Sequence, residues 1–463
     1  MDSSVYSSRM RSPREYALQL LEYIDHCPTA FHAVERSVAW LSSAGFEPLR
    51  EQDKWQLTPG DRRFVIRNGS TIVAFVVGSA PPSEAGFLLV GAHTDSPALK
   101  LKPNASHQRF GYQQLGVEKY GGLLLSTWFD RDLGLAGRVV LDRPGADLET
   151  QLIHIQRPIL RIPTLAIHLN RDVNSKGFLI DEQNHLPPIF GFAQSADEDA
   201  LRKLLVHEFG RQGLAVKPSE IAAFDLQLVD LQPSSLGGKD EEWVFAPRID
   251  NLASCHAALS SLVEAASQVP MLEPTRVVAL WDNEECGSTS MQGARGTLLR
   301  GILTRVISAR GGNIAEDVDR SLSRSLLVSV DMAHAIHPNY PDRHDREHAP
   351  VLGKGPVIKS NANQSYATDA VSSARFVRAC RSAGFTPQRF VVRSDLPCGS
   401  TIGPIVAALT GIKTVDVGNP MLSMHSIREM AACADHAMLI DAIGHLLRLD
   451  EKKRKGRKIR LVS

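Results

Sequence analysis

Cysteine is scarce in this chain and follows no metal-binding or disulfide spacing. Six are present among 463 residues, at Cys27, Cys255, Cys286, Cys380, Cys398 and Cys433, with no CxxC pair. That excludes a disulfide-dense secreted scaffold and a thiolate zinc module, and leaves buried thiols as the expectation. Long apolar runs are missing too: none approaches the roughly 20 residues a membrane-spanning helix needs. The start, Met1-Asp2-Ser3-Ser4, lacks the basic and apolar regions of a secretory signal, so a cytoplasmic protein is expected. Neither sign of charge dominates. A formal net charge of +1 gives no global attraction to nucleic acid or to a membrane, and neither is expected as a partner. The one local excess is the C-terminal run Lys452, Lys453, Arg454, Lys455, Arg457, Lys458 and Arg460, read as a solvated tail in preference to an import signal or nucleic-acid patch.

What is present is an ordinary globular composition, 43% hydrophobic and 22% charged, at a length that calls for two or three domains. Residues 13–45 carry helical spacing, with Pro13 suited to a first turn. Strands are predicted at Phe64–Ile66, Thr71–Val77 and Phe87–Ala92, and from about Asn251 helix and strand alternate in the manner of a mixed sheet covered on both faces. The stretch between has a different character. It offers turns and short strands such as Arg138–Leu141 and Leu226–Val229, and little helical period outside Asp197–Phe209. An insertion is the economical topology: residues 1–98 and 247–450 form one discontinuous α/β domain, 99–246 a β-rich domain set into it, and 451–463 a basic tail. Long loops are expected at Gly111–Gly122, Phe190–Ser195 and His337–Gly355.

Glu284 and Glu285 stand side by side after the apolar run Arg276–Trp281. Two adjacent carboxylates at the mouth of a buried strand raise one another's pKa, a costly arrangement unless a cation neutralises them or one shuttles protons. Other apolar runs end the same way. Gly86–Ala92 leads into His93-Thr94-Asp95, Leu326–Val330 into Asp331, and Thr414–Gly418 precedes the segment holding His425. Such runs read as buried parallel strands, whose carboxyl ends converge on a ligand however far apart they lie in sequence. Asp250 opens a helix-like stretch, Leu252–Ala266, and adds a carboxylate at a helix start. Two imidazoles with several carboxylates suit zinc, with manganese or cobalt as substitutes, and argue against calcium.

In this order the residues resemble the co-catalytic dizinc exopeptidases. More closely, GAHTDSPALKLKP, APRIDNLAS, DNEECGSTSMQGA, SVDMAHAIHPNY, GPVIKSNANQSYATD and NPMLSMHSIRE resemble the aspartyl aminopeptidases over nearly the whole chain. That resemblance implies a mixed-sheet α/β/α zinc exopeptidase domain with an inserted β-rich oligomerisation domain, and two zinc ions per subunit. Asp250 would bridge both metals, His93 and Asp331 would complete one site, and Glu285 and His425 the other. Asp95 would fix the tautomer of His93, and Glu284 would be the general base. The implied substrates are peptides with an acidic amino-terminal residue, met by the cation of Lys359, with His334 and His337 flanking the pocket and Tyr366 hydrogen-bonding to substrate. His168 would reach a neighbouring subunit's active site, within a tetrahedral homododecamer. The alternatives are a different dizinc hydrolase, such as an aminopeptidase for neutral residues or a deacylase, or a catalytically silent relative kept as a structural or binding shell.

Overall fold

The computed structural model describes residues 12–193, 200–267 and 271–448. The start at Met1–Ser4, residues 194–199 and the basic tail 451–463 lie outside the described residues, as does the beginning of the predicted helix Asp197–Phe209, which is described as Ala200–Arg211.

Four apolar runs form the heart of a nine-stranded sheet. Its order from edge to edge is Glu47–Pro48, Arg62–Arg67, Thr71–Val76, Thr275–Trp281, Phe87–His93, Leu326–Val330, Lys413–Gly418, Val357–Lys359 and Gln388–Phe390. Thr275–Trp281, Phe87–His93, Leu326–Val330 and Lys413–Gly418 run parallel to one another. His93 pairs with Trp281, Gly91 with Ser329 and Val330 with Val417, so the carboxyl ends finish along one rim. Both faces of these strands are covered, which is why they read as continuous apolar runs. Val278, Leu280, Val90 and Ala92 point into a core shared with the helices Pro13–His26, Ala30–Ser43, Ile249–Ala266 and Cys433–Leu447. Their neighbours Val277, Ala279, Trp281 and Leu89 point into the opposite core, under the helices Leu298–Ala309, Ile314–Arg324 and Ile402–Thr410.

The predicted helical region 13–45 is two helices. Ser12 caps the first in a reciprocal box with Glu15, and Pro13 occupies its first turn. Pro28, which cannot donate into a helix, falls in the break before Ala30.

Between His93 and Ile249 the chain builds a six-stranded sheet in which every pairing is antiparallel, ordered Glu149–Leu160, Leu133–Leu141, Ile221–Asp230, Ala98–Arg109, Tyr112–Tyr120, Ile189–Phe192. It has its own apolar core, from Ala98 to Leu228, joined by Ile427. The expected loop at Gly111–Gly122 is a strand over most of its length. Gln113, Leu115 and Val117 are buried in alternation there, the period-two pattern of a half-buried strand. The stretch His337–Gly355 does run as loop, with one short turn of helix at Pro341–Arg343. A third sheet of five short strands contains the hairpin Pro420–Leu422 and Glu429–Ala432, whose connection carries His425. Among the described residues no helix is long and apolar enough to cross a membrane. All six cysteines are free; Cys27, Cys255, Cys380 and Cys433 are buried, while Cys286 is exposed and Cys398 half-buried.

Candidate metal centre

Each side chain of the cluster is delivered by the end of an element. His93 ends one parallel strand, Glu284 and Glu285 form a helical turn just beyond another, and Asp331 follows a third. Asp250 precedes Leu252, where regular helical dihedrals of the Ile249–Ala266 helix begin. His425 lies in the hairpin beyond the fourth parallel strand rather than directly at its tip. Three non-glycine residues around the rim hold the left-handed conformation, Arg248 with φ 56°, Asn283 with φ 63° and His425 with φ 67°. That backbone is costly for residues with a Cβ and concentrates at sites where the surrounding structure fixes a side chain's aim.

The seven residues predicted for the centre come together. Ligand atoms of His93, Asp250 and Asp331 lie within 4.8 Å of one another, as do those of Asp250, Glu285 and His425, and those of His93, Glu284 and Glu285. His93 Nε2 is 3.4 Å from Asp331 Oδ1 and 3.5 Å from Asp250 Oδ1. His425 Nε2 is 3.5 Å from Asp250 Oδ2 and 3.4 Å from Glu285 Oε2. The two oxygens of Asp250 therefore face different imidazoles. Both glutamates are within reach of His93, but only Glu285 shares a group with Asp250 and His425.

The donor set fits divalent metal ions. Asp250 Oδ1 and Glu285 Oε1 are buried with no hydrogen-bond partner, an expense that a cation would offset. Burial and the nearby Asp250 carboxylate push Glu285 well above the usual carboxylate range. Burial, with Asp331, Asp95 and Asp250 adding to it, pushes Glu284 up to about 7 against the lowering effect of His93. Burial pulls His425 down, yet Asp250 and Glu285 outweigh it and carry the imidazole up to about 10.

Both imidazoles are oriented through Nδ1, which leaves Nε2 facing the carboxylates. His93 Nδ1 donates to the Asp95 backbone carbonyl at 3.0 Å, closer than the Asp95 carboxylate at 3.4 Å. The orienting group on Asp95 is thus chiefly its carbonyl. The Asp95 carboxylate accepts the backbone N–H groups of Glu284 and Glu285, at 3.2 and 3.1 Å, and the Tyr120 hydroxyl at 2.5 Å. His425 Nδ1 donates to the Gly122 carbonyl at 2.7 Å. Sequence reasoning missed Tyr120, Gly122 and Glu429. The buried Glu429 carboxylate accepts the backbone N–H of Asp250 at 3.0 Å and of His425 at 2.7 Å, so it braces Asp250 and an imidazole at once. Its only sequence signal is a carboxylate four residues after His425.

The predicted substrate-side residues divide. Lys359 is fully buried, its Nζ 3.2 Å from Asp331 Oδ2 and 3.0 Å from the Met332 carbonyl. The buried Tyr366 ring lies 5.2 Å from that Nζ, and His334, exposed, packs edge-on against Phe390. His337 sits farther out, its ring on Tyr340 and its backbone N–H bonded to His344. His168 is not brought to the cluster within this chain. It lies on an exposed turn of the β-rich lobe between the exposed side chains Ile167 and Leu169.

Comparison with known proteins places the chain beside zinc peptidases. The family described as aminopeptidase I zinc metalloprotease (M18) matches residues 23–444. A probable M18 family aminopeptidase 2 of Stutzerimonas stutzeri (strain A1501) is 45% identical over 426 residues, 92% of this chain and 96% of the relative. A probable aspartyl aminopeptidase of Ricinus communis is 42% identical over 455 residues, 90% of this chain and 91% of the relative. Among solved structures, the S. cerevesiae mApe1 dodecamer superposes with a TM-score of 0.81 at 29% identity, covering 95% of this chain and 98% of that one.

Proposed function

The chain belongs to the aminopeptidase I zinc metalloprotease family, M18, and from that premise we propose that it releases acidic amino-terminal residues, Asp and Glu, from peptides with two zinc ions per subunit. The observation that carries the reading is the pair of imidazole and carboxylate groups sharing Asp250. His93 and Asp331 would hold one ion, Glu285 and His425 the other, with Asp250 between them; manganese or cobalt would substitute. When bound, such ions polarise the scissile carbonyl and lower the pKa of water. Glu284, beside the proposed ligands but outside the group formed with Asp250 and His425, takes the proton from the attacking water and returns it to the leaving amine. Asp95 keeps the two glutamates in place by accepting both their backbone N–H groups.

Lys359 and Tyr366 border the Asp331 side of the centre and would meet the acidic side chain, with His334 at the mouth. His168 would complete the site of a neighbouring copy in a tetrahedral homododecamer. The exposed Leu165, Ile167 and Leu169 flanking it in the chain support a face that another subunit covers. One observation favours a second reading, an aminopeptidase for neutral residues: the Lys359 ammonium is already engaged by Asp331 and by a carbonyl. A panel of aminoacyl chromogenic amides, assayed with and without a chelator, separates the two. Chelator-sensitive release from Asp and Glu amides supports the acidic reading, and a preference for Leu or Ala amides overturns it.

A further inference from the structure

The β-rich lobe meets the metal centre at the end of the strand Tyr112–Tyr120 and in the residues that follow. Tyr120 donates its hydroxyl to Asp95 Oδ2 at 2.5 Å and accepts from Asn283 Nδ2 at 2.9 Å. Its ring is fixed by Lys100 Nζ, 3.5 Å from the centroid, on the neighbouring strand of the lobe. Gly121 passes directly over Glu285. A Cβ built there would lie 3.1 Å from Glu285 Cβ, and its φ of 76° is a conformation that side chains rarely adopt. Gly122 then accepts the Nδ1–H of His425, and two residues on the Leu124 N–H donates to the His425 carbonyl at 3.0 Å. Thr127 Oγ1 accepts from the Ile427 N–H at 3.0 Å.

We propose that Tyr120-Gly121-Gly122 is a strap by which the β-rich lobe positions both metal sites, Tyr120 acting on His93 through Asp95 and Gly122 acting on His425 directly. The physical basis is the tautomer. A backbone carbonyl only accepts, so the imidazole nitrogen facing it must carry the proton, and the opposite nitrogen is left with its lone pair toward the ion. For His425 the strap supplies that carbonyl. For His93 the carbonyl is that of Asp95, and the strap fixes the residue bearing it by anchoring its carboxylate. The same carboxylate aligns the Glu284 and Glu285 backbones, so a displaced Tyr120 would be felt by a ligand of each ion. Tyr120 is a positioning residue in this scheme and touches neither ion nor substrate. The lobe is therefore part of the metal-binding apparatus, and a force on its sheet reaches both ions through three residues.

This inference rests on the reading of the cluster as two metal sites, and the test keeps the two apart. Metal-free parent protein is titrated with zinc by calorimetry, and with cobalt by its visible absorption, beside Tyr120→Phe, Asp95→Asn and the double variant. Tyr120→Phe keeps the ring over Lys100 and removes only the hydroxyl. The expected result is two ions per parent subunit, a loss of affinity of about 10–100-fold for at least one ion in Tyr120→Phe, an altered cobalt spectrum, and no further loss when Tyr120→Phe is added to Asp95→Asn. A parent that takes up fewer than two ions overturns the two-metal reading and the strap with it. A parent that takes up two, with Tyr120→Phe binding both as tightly or adding its full loss to that of Asp95→Asn, overturns the strap alone. Gly121→Ala gives an independent reading should Tyr120→Phe fail to fold: its methyl crowds Glu285, and unchanged affinity for both ions in that variant also overturns the proposal.

Discussion

Lys359 Nζ sits 3.2 Å from Asp331 Oδ2, and the lysine side chain is only 2% exposed. A cation so placed can do two things. It can steady a metal-ligating carboxylate, or it can turn toward the carboxylate of an incoming acidic residue. If it selects the substrate, truncating it strands that substrate's charge, a loss on the order of a hundredfold in relative kcat/KM. Lys359→Met is expected to lower the ratio of kcat/KM for an amino-terminal Asp substrate over a Leu substrate by about that factor. Metal content is measured beside it. A variant that keeps the ratio and loses metal would assign Lys359 to holding Asp331 alone.

Glu284 and Glu285 make a sharper pair. Both are aligned by Asp95, and both lie within 4.8 Å of His93 among their ligand atoms. Only Glu285 shares a cluster with Asp250 and His425. Glu284→Gln is therefore expected to retain both ions while turnover falls by roughly 10²–10⁴-fold, the usual contribution of a positioned acid–base group. Asp250→Ala, which removes the shared carboxylate, should lose metal from both sites. Equilibrium dialysis with metal analysis, run beside steady-state kinetics, reads both variants. Near-parental turnover in Glu284→Gln would remove it from the role of base.

Most of the candidate ligands were legible in the sequence because they adjoin a local signal. His93, Glu285 and Asp331 come after apolar runs that are strands, and Asp250 comes before a helix. What connects them was not legible. Gly122 offers a carbonyl that any residue could offer, and its partner His425 lies 303 positions away. Tyr120 was hidden for a different reason: glycines at both ends suggested a loop, while the alternation of Gln113, Leu115 and Val117 carried the strand. Lys359 was expected, from the resemblance, to be a cation facing the substrate, but its pairing with Asp331 depends on the antiparallel placement of Val357–Lys359 beside Lys413–Gly418. No spacing in the chain encodes that placement.

Glu429 provides a test of bracing without ligation. Its two oxygens accept from the backbone N–H groups of two candidate ligands, Asp250 and His425. Glutamine in its place presents one N–H group where an acceptor is needed, so one contact becomes a clash of donors. Glu429→Gln should weaken metal binding by about 10–100-fold, the scale on which groups behind the ligands act. Competition against a chromogenic chelator measures it, and parental affinity would show that the hairpin holds His425 without this carboxylate.

Acid stability should report on His436, which is buried against His256. It is 2% exposed, its Nδ1 has no hydrogen-bond partner, and its Nε2 lies 2.9 Å from His256 Nδ1. Burial lowers its pKa to about 3. In the unfolded chain the ordinary value is about 6.5, so between about pH 6.5 and 3 the unfolded state binds a proton that the folded state refuses. Stability is full above that window and falls as pH drops through it. His436→Gln is expected to show a pH dependence of unfolding free energy shallower by about one proton across pH 6.5 to 4.5, measured by denaturant titration. An unchanged slope would mean that His436 is charged in the folded protein.

His168 poses the question of what one subunit lends another. Its own chain leaves it exposed beside Leu165, Ile167 and Leu169, so a role at the metal centre requires a second copy. Co-expression of His168→Phe with Glu284→Gln separates the requirements. A His168→Phe subunit keeps its base, and a Glu284→Gln neighbour can supply the missing imidazole. With random pairing, half the sites keep Glu284 and half of those face a neighbour with His168, so activity should return to about a quarter of the parental level. Each variant alone should remain far below that. Hybrids isolated by two affinity tags and found as inactive as their parents would exclude the exchange and leave His168 a residue of the lobe surface.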